Sequence, residues 1–256
     1  MKHTKKLIPA IGMLLLSACM LVTSTFAWFS MNETVTATGM TVAAKGDQIY
    51  LQIKKEQFAD SDNGKKIIDI DFAAGTIAEL FPAAVMKTTT DPYTTGSSFI
   101  WVSAKGKDAQ VGTKEGAYTE VDDSAIDDYR VEKSMYIRLD PSAGAAAAEK
   151  PLKVSGVSFV ASQTVNDMAK CISVMVVGDG CAQLFKYNAT AGKFEETAGD
   201  GKLTSAAFAE KSTGLEVNVY IFFDGDNDLC TLESLAEAKA TGAVNKYAID
   251  ISFTCA

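Results

Sequence analysis

The sequence predicts an all-β protein, built as a sandwich or barrel of about ten short strands. Apolar and polar residues alternate over many short segments, which is expected where one face of a strand is buried and the other is exposed. Turn-forming residues separate these segments, and few stretches favour a helix. The 256 residues are 47% hydrophobic and 22% charged, which is typical of a globular chain with a full core.

The predicted strands are spread along the whole chain. The clearest one runs from Leu215 to Phe223, where every second residue is apolar and Glu216 and Asn218 lie on the other face. The segment 130–139 alternates in the same way and places Arg138 on its polar face. The other predicted strands, in chain order, are 35–44, 48–54, 67–72, 98–103, 153–160, 171–177, 182–187 and 247–254.

Helices are expected only as short pieces in the connections. Leu232–Ala240 is rich in good helix formers and predicts two turns. The alanine-rich segment 143–149 lies between two prolines and is predicted to be a loop with at most one helical turn. Surface loops are predicted at 60–65, 88–97, 106–116 and 189–201.

The first thirty residues have the layout of a secretory signal peptide. Lys2, Lys5 and Lys6 precede a run from Leu7 to Met31 that carries no charge. Small residues at Thr25 and Ala27 predict cleavage between Ala27 and Trp28, so that 1–27 is the signal helix and 28–256 is one β domain.

Two other interpretations use the same residues. Leu16-Ser17-Ala18-Cys19 fits a lipobox, in which Cys19 would be lipidated, although an apolar segment follows it instead of a polar tether. The apolar run of about 25 residues is also long enough to remain uncut as a membrane anchor. Membrane contact is expected only through this segment.

Several classes of function are excluded by composition. His3 is the only histidine, and it lies in the predicted signal peptide, so the mature chain has none. This excludes Ser-His-Asp and Cys-His catalysis, HExxH zinc hydrolysis and most zinc or copper sites. The formal net charge of −8, with no basic patch, argues against nucleic-acid binding. We therefore expect neither an enzyme nor a resident cofactor.

Four cysteines remain after the predicted cleavage: Cys171, Cys181, Cys230 and Cys255. An even number in an exported chain suggests two disulfides, for which three connectivities exist. Buried free thiols that act as small hydrophobic residues are the alternative.

An acidic cluster, Asp224-Gly225-Asp226-Asn227-Asp228, is the best candidate for a metal site. Carboxylates of Asp224, Asp226 and Asp228 could converge on calcium. An EF-hand loop would need glycine at the sixth position and glutamate at the twelfth, where this chain has Leu229 and Leu235. The alternative is an acidic turn that ends the strand before it.

The segment after the predicted cleavage site is apolar and extended. Phe29, Met31, Val35 and Ala37 share one face, and Gly39 is a predicted bulge before the pattern changes phase at Met40. A free strand of this kind aggregates unless it pairs with its own domain or with the sheet of another subunit.

The run Thr25-Phe26-Ala27-Trp28-Phe29-Ser30, followed by Val35-Thr36-Ala37-Thr38-Gly39-Met40, resembles the export signal and first strand of the TasA/camelysin family of Gram-positive bacteria. Members of that family are released by a SipW-type signal peptidase. The segments 129–138, 219–225 and 251–254 resemble clostridial members.

This resemblance implies a jelly-roll sandwich, a location at the cell surface or in the biofilm matrix, and fibre assembly by donor-strand exchange. The donated segment would be 28–40, with its contacts made by Trp28, Phe29, Met31, Val35, Ala37 and Met40. The expected partners are further copies of the chain and the signal peptidase during export. The metalloprotease activity described for camelysin is not implied, because the mature chain has no HExxH motif.

The sequence thus favours a secreted structural subunit of surface or matrix filaments. The alternative is a monomeric surface-displayed adhesin or carbohydrate-binding module, which would use the loops 88–97 and 224–228. Tyr93, Phe99 and Trp101 would line a carbohydrate face in that case, or would pack in the core instead. A hydrolase with a carboxylate pair is a third class.

Overall fold

The computed structural model describes residues 41–46, 51–62, 69–71, 80–87, 99–104, 118–141, 150–161, 164–240 and 247–255. All of them belong to one compact unit, Thr36–Ala256. The predicted signal peptide, its cleavage site and the predicted donor segment 28–40 lie outside the described residues.

The described residues form the all-β sandwich that the sequence predicts. The strands are β1 (Thr41–Gly46), β2 (Leu51–Lys54), β3 (Asp69–Asp71), β4 (Ala83–Lys87), β5 (Phe99–Ala104), β6 (Tyr118–Glu120), β7 (Val131–Leu139), β8 (Leu152–Phe159), β9 (Ile172–Val177), β10 (Ala182–Asn188), β11 (Lys193–Gly199), β12 (Leu215–Phe223) and β13 (Ala248–Cys255). The helices are α1 (Asp167–Lys170) and α2 (Leu232–Ala240), with 3-10 turns at Asp60–Asp62 and Asp123–Asp128.

The strands form three sheets. The largest has six strands in the order β11-β10-β9-β12-β7-β2, and every neighbouring pair in it is antiparallel. A second sheet has the order β3-β1-β13-β8, in which β1 and β13 are parallel and the other pairs are antiparallel. The third sheet is β4-β5-β6 and is antiparallel.

The four-stranded sheet packs on the six-stranded sheet through β8, β10 and β11. Phe159 of β8 contacts Tyr187 and Phe194, with ring centroids 5.5 and 5.0 Å apart. At the other end of β8, the Val154 N–H donates to Oε1 of Gln183 at 2.8 Å. These contacts bury apolar side chains between two sheets, which is the arrangement of a β-sandwich.

The central strand, β12, is buried on both faces. Its predicted alternation holds over the first residues, where Val217 is buried and Glu216 is exposed. From Val219 onward every residue of the strand is buried. The three-stranded sheet covers the second face, because Trp101 of β5 packs edge-on against Tyr220 and Phe222, with centroids 5.7 and 5.0 Å apart.

Arg138 lies in the core and not on the exposed face that the alternation predicted. It is 1% exposed. Its Nε donates to Oε1 of Gln52 at 2.8 Å, an Nη donates to the Ser212 carbonyl at 2.8 Å, and the guanidinium lies 4.1 Å from the ring centroid of Phe58. The loop that precedes β12 covers this end of β7, which explains why the polar face is buried there.

The prediction of a loop over 189–201 was wrong, because β11 occupies 193–199. Asn188 closes a hairpin between β10 and β11 by accepting the N–H groups of Thr190 and Ala191, and Gly192 adopts a left-handed conformation with φ of 67°. Only Phe194 of β11 is buried, so the segment lacks the apolar pattern of a core strand. By contrast, α2 forms over the predicted residues. Within the described part of the chain, no helix is long and apolar enough to cross a membrane.

We expect Trp101→Ala to destabilise the protein by about 3–5 kcal/mol, because it removes the ring that covers β12 and leaves a cavity. Chemical denaturation at neutral pH measures this loss. Met86→Ala, in the neighbouring strand β4, is the matched control: Met86 is 42% exposed, so its truncation should cost less than about 1 kcal/mol. Equal losses from both variants would contradict the packing described for Trp101.

Candidate functional site

The predicted acidic cluster lies where β12 ends and the three sheets meet. The Asp224 N–H donates to the Cys171 carbonyl at 2.7 Å, and the Gly225 N–H donates to the Ala83 carbonyl at 2.9 Å. These bonds attach the turn to the start of β9 on one side and to β4 on the other. The segment 224–230, here called the junction loop, therefore connects the end of the central strand to β9 of its own sheet and to β4 of the three-stranded sheet.

Asp224 is buried and forms an ion pair inside the protein. Its Oδ2 lies 2.6 Å from Nζ of Lys186 on β10, and its Oδ1 accepts the Asp226 N–H at 3.1 Å. Burial raises the pKa of the Asp224 carboxyl, and the nearby Lys186 ammonium opposes that rise. The ion pair therefore holds a charge that burial alone would disfavour.

Asp226 and Asp228 are exposed, whereas Asp224 is buried. Asp226 accepts a hydrogen bond from the Tyr118 hydroxyl of β6. Burial, followed by the Asp226 carboxylate, raises the pKa of Tyr118 to about 12. The junction loop is thus tied to the third sheet by a side chain as well as by its backbone.

The three carboxylates do not converge in this arrangement. Among the residues that the structure describes, no group of three or more His, Cys, Asp or Glu side chains is placed to hold a metal ion. Calcium binding at Asp224, Asp226 and Asp228 stays a prediction, and it would require Asp224 to exchange Lys186 for the ion. The geometry fits the alternative interpretation, an acidic turn that ends β12.

All four predicted cysteines of the mature chain are described, and all four are free thiols. Cys171 follows α1 and Cys230 ends the junction loop, and the Cys230 thiol is near enough to raise the pKa of Cys171. Cys181 lies in the turn between β9 and β10, and Cys255 ends β13. The spacing of the four cysteines did not indicate which two would lie close together.

The aromatic residues considered for a carbohydrate face belong to the core where they are described. Trp101 is buried, and the Arg130 guanidinium stacks between its ring, at 5.0 Å, and that of Tyr220, at 4.3 Å. Tyr93 lies outside the described residues. Sequence analysis did not identify Arg130 as a partner of these rings, although an arginine beside an aromatic strand is a signal for such stacking.

An open groove of about 310 Å³ lies beside the start of β12, lined in part by Thr204, Phe208 and Glu210. Two of its polar side chains have partners within the chain. The Thr204 hydroxyl donates to the Ala206 carbonyl at 2.8 Å, and Oε1 of Glu210 accepts the Ser212 N–H at 2.6 Å. These bonds shape the loop before β12.

The predicted assembly residues Trp28, Phe29, Met31, Val35, Ala37 and Met40 lie outside the described residues. The first strand described after them is β1, which starts at Thr41 and lies between β3 and β13 in the four-stranded sheet. The segment 28–40 therefore leads directly into an interior strand of this sheet.

Comparisons of the chain with protein-family models, curated proteins and solved structures find no match.

We expect Lys186→Met to destabilise the protein by on the order of 2 kcal/mol at neutral pH, because it leaves the buried Asp224 carboxylate unpaired. The estimate is below that for a wholly buried pair, since Lys186 is 34% exposed. The loss should shrink as the pH falls toward 4, because a protonated Asp224 no longer needs a cation. Urea denaturation at several pH values measures this dependence.

Lys193→Met provides the matched control on the same hairpin. Lys193 lies 3.4 Å from Glu195, and both side chains are exposed, so this variant should change stability by less than about 0.5 kcal/mol at any pH. A pH-independent loss in Lys186→Met would show that the unpaired carboxylate is not its cause.

Proposed function

We propose that the protein is an exported structural subunit that assembles into cell-surface or biofilm-matrix filaments. Each subunit would donate its segment 28–40 as a strand to the sheet of the next subunit. The observation that carries the proposal is the position of this segment: it follows a predicted signal peptide directly, and it leads into β1, an interior strand of the four-stranded sheet. The proposal assigns no catalysis, cofactor or nucleic-acid partner.

Hydrophobic burial would drive the assembly. Adding a strand to a sheet supplies main-chain hydrogen bonds, and alternate side chains fill pockets in the acceptor. Phe29, Met31, Val35 and Ala37 are the alternate residues of the donated segment. Burial of about four apolar side chains would contribute roughly 1.5–3 kcal/mol each to the free energy of assembly. This contribution exceeds the entropic cost of ordering the donated segment only if the segment pairs in a regular register.

Two edge strands of the sheets are poorly suited to pair with the sheet of another molecule. This favours assembly through the segment 28–40 over direct pairing of sheet edges. The edge strand β11 carries Lys193, Glu195 and Glu196, and charged residues oppose the addition of another strand. At the start of the edge strand β8, both backbone groups of Leu152 already have partners. The Leu152 N–H donates to the Thr204 hydroxyl at 3.0 Å, and the Leu152 carbonyl accepts the Leu203 N–H at 2.6 Å. These two edges therefore oppose pairing with a neighbouring subunit at these points.

We expect a chain that begins at Trp28, freshly released from a cleavable fusion, to form regular filaments in negative-stain electron microscopy. Deletion of residues 28–38 should leave a folded monomer that does not polymerise, because β1 and the strands after it are retained. Circular dichroism and gel filtration check the fold and the mass of the truncated chain. Filaments formed by this deletion would refute donor-strand addition.

A pair of neighbouring substitutions tests the register of the donated strand. Val35→Asp places a charge on the face that would enter the acceptor and should reduce the yield of filaments at least tenfold, since the charge cannot be buried without a partner. Thr36→Asp adds the same charge to the opposite face and should leave the yield within about twofold. Equal losses from both variants would argue against an alternating, half-buried strand. A chain from Trp28 that stays monomeric and binds a glycan would favour the adhesin alternative.

A further inference from the structure

The contact between two of the four cysteines follows from the pairing of the core strands. In the register of β9 and β12, Phe223 lies opposite Ile172, so the chain leaves β12 level with Cys171. The Asp224 N–H then donates to the Cys171 carbonyl at 2.7 Å. The backbone after β12 is therefore held beside Cys171 before the junction loop begins.

Asn227 returns the loop toward the same point. Its side-chain Nδ2 donates to the Lys170 carbonyl at 3.0 Å, and its backbone N–H donates to the Asp224 carbonyl at 3.1 Å. The Cys230 N–H donates to the Asn227 carbonyl at 2.9 Å. These three bonds fix Cys230 next to the end of α1, where Cys171 lies.

Both cysteines are completely buried, and the neighbouring Cys230 thiol, with burial, raises the pKa of Cys171. The Cys171 thiol donates to the Asp167 carbonyl at 3.2 Å. Two buried thiols brought side by side by strand register and by loop hydrogen bonds need little movement to become bonded. We propose that Cys171 and Cys230 form a structural disulfide in the mature protein.

The oxidant is a disulfide-containing compound, either a small-molecule disulfide or a thiol-disulfide oxidoreductase. One cysteine thiolate attacks a sulfur of the oxidant and expels a thiolate, which gives a mixed disulfide. The second cysteine thiolate then attacks the protein sulfur of that mixed disulfide and expels the second thiolate. The two protein thiols lose two electrons and two protons in total, and the oxidant disulfide is reduced to two thiols.

The bond forms while the chain folds, and only slowly afterwards. The neighbouring Cys230 thiol, together with burial, raises the pKa of Cys171, so its reactive thiolate is rare in the folded protein. Burial also denies access to an oxidant once α1 and α2, which contact each other, are in place. A chain that folds in the presence of an oxidant will therefore be cross-linked, whereas a chain that folds reduced will keep its thiols.

The remaining two cysteines stay reduced. Cys181 lies at the turn between β9 and β10 of the six-stranded sheet, and Cys255 ends β13 in the other sheet. Burial alone raises the pKa of Cys255 to about 11, and neither cysteine is held against a second thiol of the described residues. Of the six possible pairs among these four cysteines, only Cys171–Cys230 forms a bond.

The test is to unfold the full-length protein under reducing conditions and to refold it with a mixture of reduced and oxidised glutathione. Free thiols are blocked with N-ethylmaleimide, and peptides are mapped by mass spectrometry without reduction. We expect one linked peptide pair that contains Cys171 and Cys230, lighter by two hydrogen atoms than its separate parts, while Cys181 and Cys255 carry the blocking group. Blocked Cys171 and Cys230 after oxidative refolding, or a link from either one to Cys19, Cys181 or Cys255, would overturn the proposal.

A second measurement reads the stability of the linked protein. Adding a reductant before unfolding should lower the melting temperature by on the order of 10 °C, because the link closes a long loop of the unfolded chain. Cys171→Ser and Cys230→Ser should lose this response to reductant, and Cys181→Ser, the matched control, should retain it. If the serine variants do not fold, the peptide map of the unaltered chain still decides the question. The test needs no filaments, so its failure is distinguishable from a failure of the proposed assembly.

Discussion

The rest of the structure depends on the burial of β12 on both faces. A strand in a two-layer sandwich needs only one apolar face, yet Tyr220 and Phe222 alternate with Val219, Ile221 and Phe223 so that the second half of β12 is apolar all round. Two further layers must then meet it: β13 and its neighbours on one side, and the three-stranded sheet on the other. The loop that leaves β12 begins in this crowded position, which explains why Asp224, its first residue, is buried while Asp226 and Asp228 are exposed.

Charges buried near this framework keep a partner within the protein. Asp224 has Lys186, and Arg138 has Gln52, which in turn donates to Asp140 at 3.1 Å. An unpaired charge at these positions would cost several kcal/mol, so each partner is required by burial and carries no information about a ligand. The same argument applies to the junction loop. Its buried carboxylate, Asp224, is paired with Lys186, which leaves fewer oxygen atoms to bind a metal ion.

The elements that local pattern determines could be predicted from the sequence, and those that depend on long-range packing could not. The bounds of β12 and α2 follow directly from a period of two and from helix propensity. The burial of Arg138 could not be foreseen, because it depends on a loop that lies far along the chain. The contact of Cys171 with Cys230 likewise depends on the register of β9 against β12, across about sixty residues. The acidic carboxylates take partners from other strands, Lys186 for Asp224 and Tyr118 for Asp226, which a spacing pattern does not contain.

In the proposed filament, tension would enter each subunit at Thr41, where the donated segment joins β1. β1 is paired with β13 in parallel over six residues, from Thr41 opposite Ala248 to Gly46 opposite Phe253. Tension along β1 would therefore load all of these hydrogen bonds at the same time, in shear. The bonds would not break one after another from one end of the strand. The proposed disulfide lies in the other sheet, where it joins the start of β9 to the loop after β12. The four-stranded sheet would bear the tension, and the six-stranded sheet would carry the disulfide. Because the two sheets share one core, the disulfide would also resist unfolding of the sheet against which β13 packs.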